Sequence, residues 1–492
     1  MTAYETLEAQ FAEATALRHG LNLIGWDQAV HMRAASGPVR AELQARIETI
    51  RHRIIGSEEV GQLINAAGAA SLSPWQAANL REMTRLHRDA AGVPDTLMHR
   101  FVDQAGRTEV RWREARAQDD YRAFAADFAT LVELLREVAA IQGEALGLAP
   151  YDALLSHYQP GLTEADVDRI FAQLEAALPS LLTDVLAARD VRSFTRPAIP
   201  GLSIEAQKKL CADVMGQFGF SFTYGRLDES THPFSSGMAG DLRITTRYDA
   251  HDPLSGLMAV IHETGHALYE DNLPTEWLYQ PVGQDRGMVV HEAMSLFFEM
   301  QIGRSKPFVS MLWQHLAQAG IEVDLGTLAR AVRHVEPGLI RVDADEVTYP
   351  LHILLRYDIE KAVLAGRVAL DDLPGIWRDG MRHFLGVVPP TDREGILQDA
   401  HWPSGSVGYF PTYALGACLA AQLKEAMDKD IDCEDAIEAR NLTPILAWLK
   451  EKIYSQACLM PFDDLVVQAT GRPLSADSLL RHLRSRYVED GF

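Results

Sequence analysis

His262, Glu263 and His266 stand together in the run "AVIHETGHALYE". Histidines four apart lie one above the other on a helix, so both imidazoles can turn onto a single ion at about 2.0–2.1 Å. Glu263, one step round the cylinder, flanks that ion without binding it. In this HExxH arrangement a carboxylate takes a proton from zinc-activated water and later passes it to a leaving nitrogen. Asp252-Pro253 supplies a helix start and Val260, Ile261, Ala267 and Leu268 an apolar face, so the run predicts a buried helix. The competing reading is a pair of hydrogen-bonded core histidines. A metal answers the same need, a partner for each buried ring nitrogen.

A catalytic zinc takes a third protein ligand and keeps one position open. The chain continues "ALYEDN", without the downstream Gly and His of the metzincin extension. Glu270 lies about 12 Å along the helix axis from His262 and cannot share the ion. The next apolar helical stretch, "DRGMVVHEAMSLFFEMQIGRS", offers Glu292 and Glu299. Glu292 is the better candidate, because a carboxylate buried in "VVHEAMSLFF" is costly without a cation. His291 beside it could support a ligand. The chain has no GxSxG elbow, no GxxxxGK[ST] loop and no GxGxxG after a strand, so peptide hydrolysis on zinc leads.

Most of the chain that must position these residues carries helical periodicity, as in "VRAELQARIETIRHRIIG" and "TLVELLREVAAIQGEAL", and the expected fold is mainly α-helical. Thr163 with Asp166 resembles a capping box at a helix start. The exception lies between Phe220 and Tyr248. "FSFTYGRLD" and "DLRITTRYD" alternate like strands, with turn chemistry in "ESTHPFSSGMAG" between them, so a small sheet is expected just before the HExxH helix. The second strand would put Leu242, Ile244, Thr246 and Tyr248 on one face, and its open edge could pair with an extended peptide. Length allows two or three packed subdomains. With no repeat or low-complexity linker, a single domain over residues 1–492 is simpler, and a soft boundary falls in "RSFTRPAIPGLS", residues 192–203.

Forty-six Lys and Arg against 68 Asp and Glu give a formal net charge of -22, which repels nucleic acid and anionic bilayers. The uncharged stretch from Trp402 to Leu423 is broken by Pro403, Gly405, Gly408, Pro411 and Gly416, and reads as buried protein rather than a membrane span. Cys211, Cys418, Cys433 and Cys458 show no CxxC spacing. With an acidic amino-terminal stretch unlike a signal peptide, they fit a reducing cytoplasm.

An ordered set of segments carries a family resemblance. The chain reads "HPF" at His232 to Phe234, "DLRIT" at Asp241 to Thr245, "HETGH" at His262 to His266, "HE" at His291-Glu292, "IRVDAD" at Ile340 to Asp345 and "GILQDAHW" at Gly395 to Trp402. It thereby resembles the carboxypeptidase Taq group of zinc metallocarboxypeptidases, family M32. "YDALLSHYQPGLT", "DEVTYPLHILLRYDIE" and "GYFPTYALG" extend the likeness to nearly the whole chain. Two departures are Ala293-Met294, where the family usually has Ser-Gln, and "WDQAVHM", which lacks the Pro that commonly follows.

The resemblance implies a zincin-like, gluzincin helical fold with a deep groove and a small sheet beside the metal, commonly as a homodimer. It implies removal of carboxy-terminal residues one at a time, with broad specificity for peptides with a free C-terminus. By matching position His262, His266 and Glu292 would hold Zn2+, with Co2+ or Mn2+ able to occupy the same ligands, and Glu263 would be general base and acid. Arg341 would hold the substrate carboxylate through its planar fork, unless it pairs with Asp343 or Asp345. Arg356 is a second candidate for that role. His401, Tyr409 and Tyr413 are candidates to donate to the tetrahedral oxyanion, and His232 and Arg243 to shape the groove. The rival readings are a zinc endopeptidase or dipeptidase on the same scaffold, and a non-catalytic helical peptide-binding protein.

Overall fold

The helical periodicity is realised along nearly the whole chain. The computed structural model describes residues 1–188 and 195–490, with 69% helix and one three-stranded sheet. The start signals work as their chemistry requires. Thr163 Oγ1 accepts from Asp166 N at 3.3 Å and Asp166 Oδ2 accepts from Thr163 N at 3.3 Å, opening the helix Glu164–Ala188. That helix is long and apolar enough to cross a bilayer, and its Val167, Ile170, Phe171, Leu174, Leu178, Leu181, Leu182 and Val185 are buried in the protein core. The HExxH helix, Pro253–Asp271, begins where expected: Asp252 caps Ser255 N and Pro253 takes the first turn.

The sheet differs from the expectation in two respects. Its strands are β1 (Gly225–Glu229), β2 (Phe234–Met238) and β3 (Asp241–Thr246), in the order β1-β3-β2. β2 arises inside the stretch read as a turn, because Gly237 (φ 134°) and Gly240 (φ 85°) let the chain reverse tightly onto Asp241. β3 is therefore central, parallel to β1 and antiparallel to β2. Both its edges are paired and neither is open to a peptide, which corrects that expectation. Its buried Leu242, Ile244 and Thr246 turn toward the core, and Thr246 Oγ1 donates to Gly256 O of the HExxH helix at 3.3 Å.

One large core runs from Trp112 to Leu483, and a smaller one, including Leu7, Phe11, Val60 and Met83, joins the first helices. Residues 192–194 of the expected boundary lie outside the described residues. Residues 195–203 have no regular secondary structure, and Leu202 N donates to Ala250 O at 3.1 Å. The uncharged stretch from Trp402 lies inside the protein, most of it in the buried helix Phe410–Met427. Buried Glu360 anchors the loop before that helix, accepting from Tyr151 OH at 2.8 Å, Trp402 Nε1 at 2.9 Å and Gly408 N at 3.0 Å.

An ion pair ties the amino-terminal helices to the segment that leads into Glu292. Glu82, on the helix Pro74–Gly92, accepts from Arg286 Nη1 at 3.1 Å, and both residues are buried. Removing one partner strands a buried charge. Glu82→Ala is expected to lower unfolding free energy by about 3 kcal/mol, read by denaturant titration; a loss below about 0.5 kcal/mol, the scale of a solvated pair, would contradict this placement.

Candidate metal centre

The HExxH helix is buried along most of its length, and both histidines face the helix Met288–Leu296 that carries Glu292. His262, His266 and Glu292 each offer a ligand atom, and these atoms lie within 4.8 Å of one another. Glu292 Oε2 is 3.9 Å from His262 Nε2 and 3.6 Å from His266 Nε2. The sequence expectation named these three residues, and the structure brings them together.

Two glycines set how closely the helices approach. A Cβ on Gly265, within the HETGH run, would stand 2.6 Å from Met294 O and 2.7 Å from Ser295 Cα. A Cβ on Gly416 would stand 2.8 Å from Glu292 Cγ and 2.9 Å from its Cβ. The Glu292 helix is thus clamped between the HExxH helix and Phe410–Met427 at distances only glycine permits.

Each ring has its other nitrogen fixed. His262 Nδ1 is 3.0 Å from Glu299 Oε2, on a π-type turn over Phe297–Ile302 that prolongs the Glu292 helix. His266 Nδ1 is 2.6 Å from His291 Nδ1, and His291 Nε2 is 3.0 Å from Glu270 Oε1. With an ion bound, the proton count would close with both rings neutral: His262 donating to Glu299, His266 to His291 and His291 to Glu270, which would leave both Nε2 lone pairs free beside Glu292. Glu270, too far along the axis to share an ion, instead anchors the ring behind His266. Ala293 and Met294 carry no donor for Glu292; Tyr349 OH donates to its Oε1 at 3.2 Å and Ser295 Oγ to its Oε2 at 3.4 Å. Neither Tyr349 nor Ser295 carried a motif signal beyond its place in a recognised segment.

The electrostatics fit a cation. Burial works against charge on His262, yet the Glu299 hydrogen bond and the fields of Glu292 and Glu263 hold its pKa up to about 10. The cluster therefore favours positive charge at this point, and a divalent ion supplies it while leaving the rings neutral. Burial, with His291 and His262 beside it, holds His266 well below the usual histidine range, as a neutral ligand requires. Glu263 is 8% exposed. Burial pushes its carboxyl up to about 7 against the pull of His262, with Glu292 adding to the rise.

Beyond Glu292 lies a second charged group. Asp399 sits between two arginines: Arg341 donates from Nε at 3.0 Å and Nη2 at 2.9 Å, and Arg356 from Nε at 2.7 Å. Burial alone would raise the Asp399 pKa, but the two guanidiniums hold it well below the carboxylate range. Arg341 thus pairs with neither Asp343 nor Asp345; Asp345 instead accepts from Val347 N, Thr348 N and Glu336 N. Arg356 is fully enclosed, with donors on Asp399, Gln398 and His352 O. It offers no edge to a peptide, which corrects its candidacy as a direct carboxylate holder. Arg341 keeps Nη1 free of protein hydrogen bonds among the described residues, and lies 4.9 Å over the Tyr413 ring and 5.6 Å over Phe410. Asp399 lies within a recognised motif, yet its pairing across the fold carried no local signal.

The aromatic candidates link the two groups. His401 Nε2 is 3.1 Å from Tyr413 OH, and Tyr409 and Tyr413 pack edge to face at 5.1 Å. Burial, helped by Arg341, lowers His401 to about 4, and burial raises Tyr413 to about 12, so both are neutral near pH 7. His232 and Arg243 stand apart from this network. His232 is exposed in the turn before β2, and Arg243 pairs with Asp241 at 2.9 Å and lies 4.2 Å over Trp26.

Two HExxH histidines and a carboxylate from a later helix, turned onto one point by a mainly helical scaffold, match the ligand set that metallopeptidases use. The profile of Carboxypeptidase Taq (M32) metallopeptidase matches residues 6–487. Carboxypeptidase 1 of Bacillus subtilis (strain 168) is 34% identical over 97% of this chain and 95% of its own length. Thermostable carboxypeptidase 1 of Pyrococcus furiosus is 33% identical over 98% of this chain and 97% of its own. The structure of Trypanosoma cruzi metallocarboxypeptidase 1 superposes with a TM-score of 0.95 at 36% identity, covering 99% of each chain. The chain belongs to the M32 carboxypeptidase Taq family.

The glycine clamp gives a test of the site's construction. Gly416→Ala drives a methyl into Glu292, so it is expected to weaken divalent-metal binding about tenfold and cost about 1–3 kcal/mol of stability. Chelator competition and thermal unfolding measure the two effects; unchanged metal affinity would show that Glu292 is not held from this side.

Proposed function

We propose that the chain is a zinc-dependent carboxypeptidase that removes single residues from the free C-terminus of peptides with broad specificity. The observation that carries this reading is the pairing of a metal-ligand cluster with an excess cation across one aromatic layer. Arg341 and Arg356 share a single Asp399, so the group keeps a net positive charge, and the unpaired edge of Arg341 presents it.

His262, His266 and Glu292 would hold the ion. Bound there, a divalent cation supplies a Lewis acid that polarises a carbonyl and makes water more acidic. Glu263 accepts the proton of the attacking water and returns it to the leaving nitrogen, a task suited to a carboxyl whose burial brings its pKa toward neutrality. Arg341 holds the terminal carboxylate through its free edge, and Asp399 with Arg356 keeps that guanidinium in plane. Tyr409, Tyr413 and His401, all uncharged, offer donors to the developing oxyanion. His232, just before β2, and Arg243, on β3, would shape the groove from the sheet rather than touch the ion.

We place the chain in the cytoplasm as a homodimer of one peptidase domain. Four buried free cysteines and the continuous main core support the compartment and the single domain; the dimer rests on the family resemblance.

Digestion of an amino-blocked peptide and its carboxy-amidated twin separates the rival readings. The free acid is expected to lose its last residue and the amide to resist; cleavage of both at internal bonds would make the chain an endopeptidase. Glu263→Gln is expected to lower kcat by at least about 100-fold with metal content unchanged, and full activity in that variant would remove Glu263 from the chemistry. Arg341→Ala is expected to lower kcat/KM on the free acid about 100-fold, or roughly 3 kcal/mol. An equal loss on any substrate the amide series still supports would assign Arg341 to structure alone.

A further inference from the structure

Glu299, which fixes His262, is itself held from behind. Arg304 donates from Nη2 to Glu299 Oε1 at 2.8 Å and from Nη1 to Val332 O at 2.8 Å. The same guanidinium faces a second buried carboxylate, with Nε 3.8 Å from Glu346 Oε1. Arg304 therefore stands between two acids, and either can claim it. Glu346 is 2% exposed and accepts from Arg486 Nη1 at 2.6 Å, with His482 Nε2 at 3.3 Å.

Arg486 makes a second set of contacts. It donates from Nη1 to Met300 O and from Nη2 to Gln301 O at 3.3 Å. Those carbonyls belong to the π-type turn that carries Glu299. Widened turns disturb the regular helical ladder and often occur at functional sites, and the carbonyls they leave exposed need donors from elsewhere.

We infer that Arg486, on the C-terminal turn Ser485–Glu489, is a positioning residue for the metal centre. It satisfies Glu346 and pins the turn, so that Arg304 stays on Glu299 and Glu299 stays on His262 Nδ1. The inference rests on the proposed metal site. Without Arg486, Glu346 keeps His482 and the field of Arg333 but loses its nearest guanidinium, and Arg304, whose Nε already lies 3.8 Å from Glu346 Oε1, is drawn toward it, leaving Glu299 and the ring of His262 less firmly fixed. Partners that orient a ligand in this way affect metal affinity about 10–100-fold. Arg484, two positions earlier, supplies a control, because among the described residues it makes an exposed pair with Asp184 at 2.9 Å.

Cobalt(II) titration of the metal-free chain under chelator competition, with the visible spectrum recorded, tests this. R486A is expected to bind Co2+ about tenfold more weakly with an altered ligand-field band, while R484A matches the wild type. R486K keeps the charge beside Glu346 but not the fork that reaches both carbonyls, and is expected to fall between. In an E299Q background the R486A loss should largely vanish, since the effect runs through Glu299. A folded R486A with wild-type affinity and spectrum overturns the inference, as does a loss that persists undiminished beside E299Q. Should R486A fail to fold, R486K carries the test with the same two overturning results. A wild type that binds no Co2+ overturns the metal-site reading and this inference with it, whereas a wild type that binds indistinguishably from R486A overturns the inference alone.

Discussion

Glu292 must reach from one helix to histidines on another, and the spacing of those helices is set where the HExxH helix carries no side chain, at Gly265. Gly265 lets the HExxH helix rest on the backbone of Met294 and Ser295, and Gly416 lets Phe410–Met427 press against Glu292 from behind. Close-packed interiors adjust little to even a single added methylene. The variable positions inside HExxH are consequently constrained here: a larger residue at 265 would separate the paired imidazoles from their third partner. The length and purity of the surrounding hydrophobic core serve this contact, because the carboxylate stays in place only while both flanking helices do.

Buried charge is the second constraint, and the site handles it by chains of partners rather than by isolated pairs. Glu270 orients His291, and His291 orients His266; Arg304 orients Glu299, and Glu299 orients His262. A buried acid with a single loose partner would be expensive and mobile, whereas one with two or three hydrogen bonds is fixed in place. The cost of such burial falls on stability and its benefit on precision, since a metal ligand held at its far nitrogen has one orientation left.

The histidine pair, the flanking glutamate and the third carboxylate were legible in the sequence because their signals are local: spacing on one helix, and an acid inside an apolar run. Helix content and the cap at Asp252 were legible for the same reason. The strand Phe234–Met238 was not, since its Ser- and Gly-rich composition reads as a turn and only pairing with β3 makes it a strand. The same tertiary origin hides Asp399, which joins Arg341 and Arg356 from a segment far along the chain, and Glu299, whose contact with His262 depends on a widened turn. A burial argument ranked Glu292 above Glu299 as the ligand. Both proved to lie at the site, distinguished by which nitrogen of His262 each one faces.

In the proposed reading, the selection of chain ends is an electrostatic measurement made across a fixed span. Arg341 lies over the Tyr413 ring, Tyr413 packs against Tyr349 at 6.1 Å between ring centres, and Tyr349 donates to Glu292. The cation and the metal ligands are thus tied by rigid aromatic groups rather than by a flexible loop. A peptide that places a carboxylate on Arg341 has its last amide bond set at one distance from Glu263, and a continuing chain cannot supply that charge there. The net positive charge of the Arg341–Asp399–Arg356 group matters for the same reason. One arginine fully neutralised by one aspartate would orient well but attract little, and a lone arginine would attract well but lack a fixed plane. Two arginines around one aspartate provide both attraction and orientation.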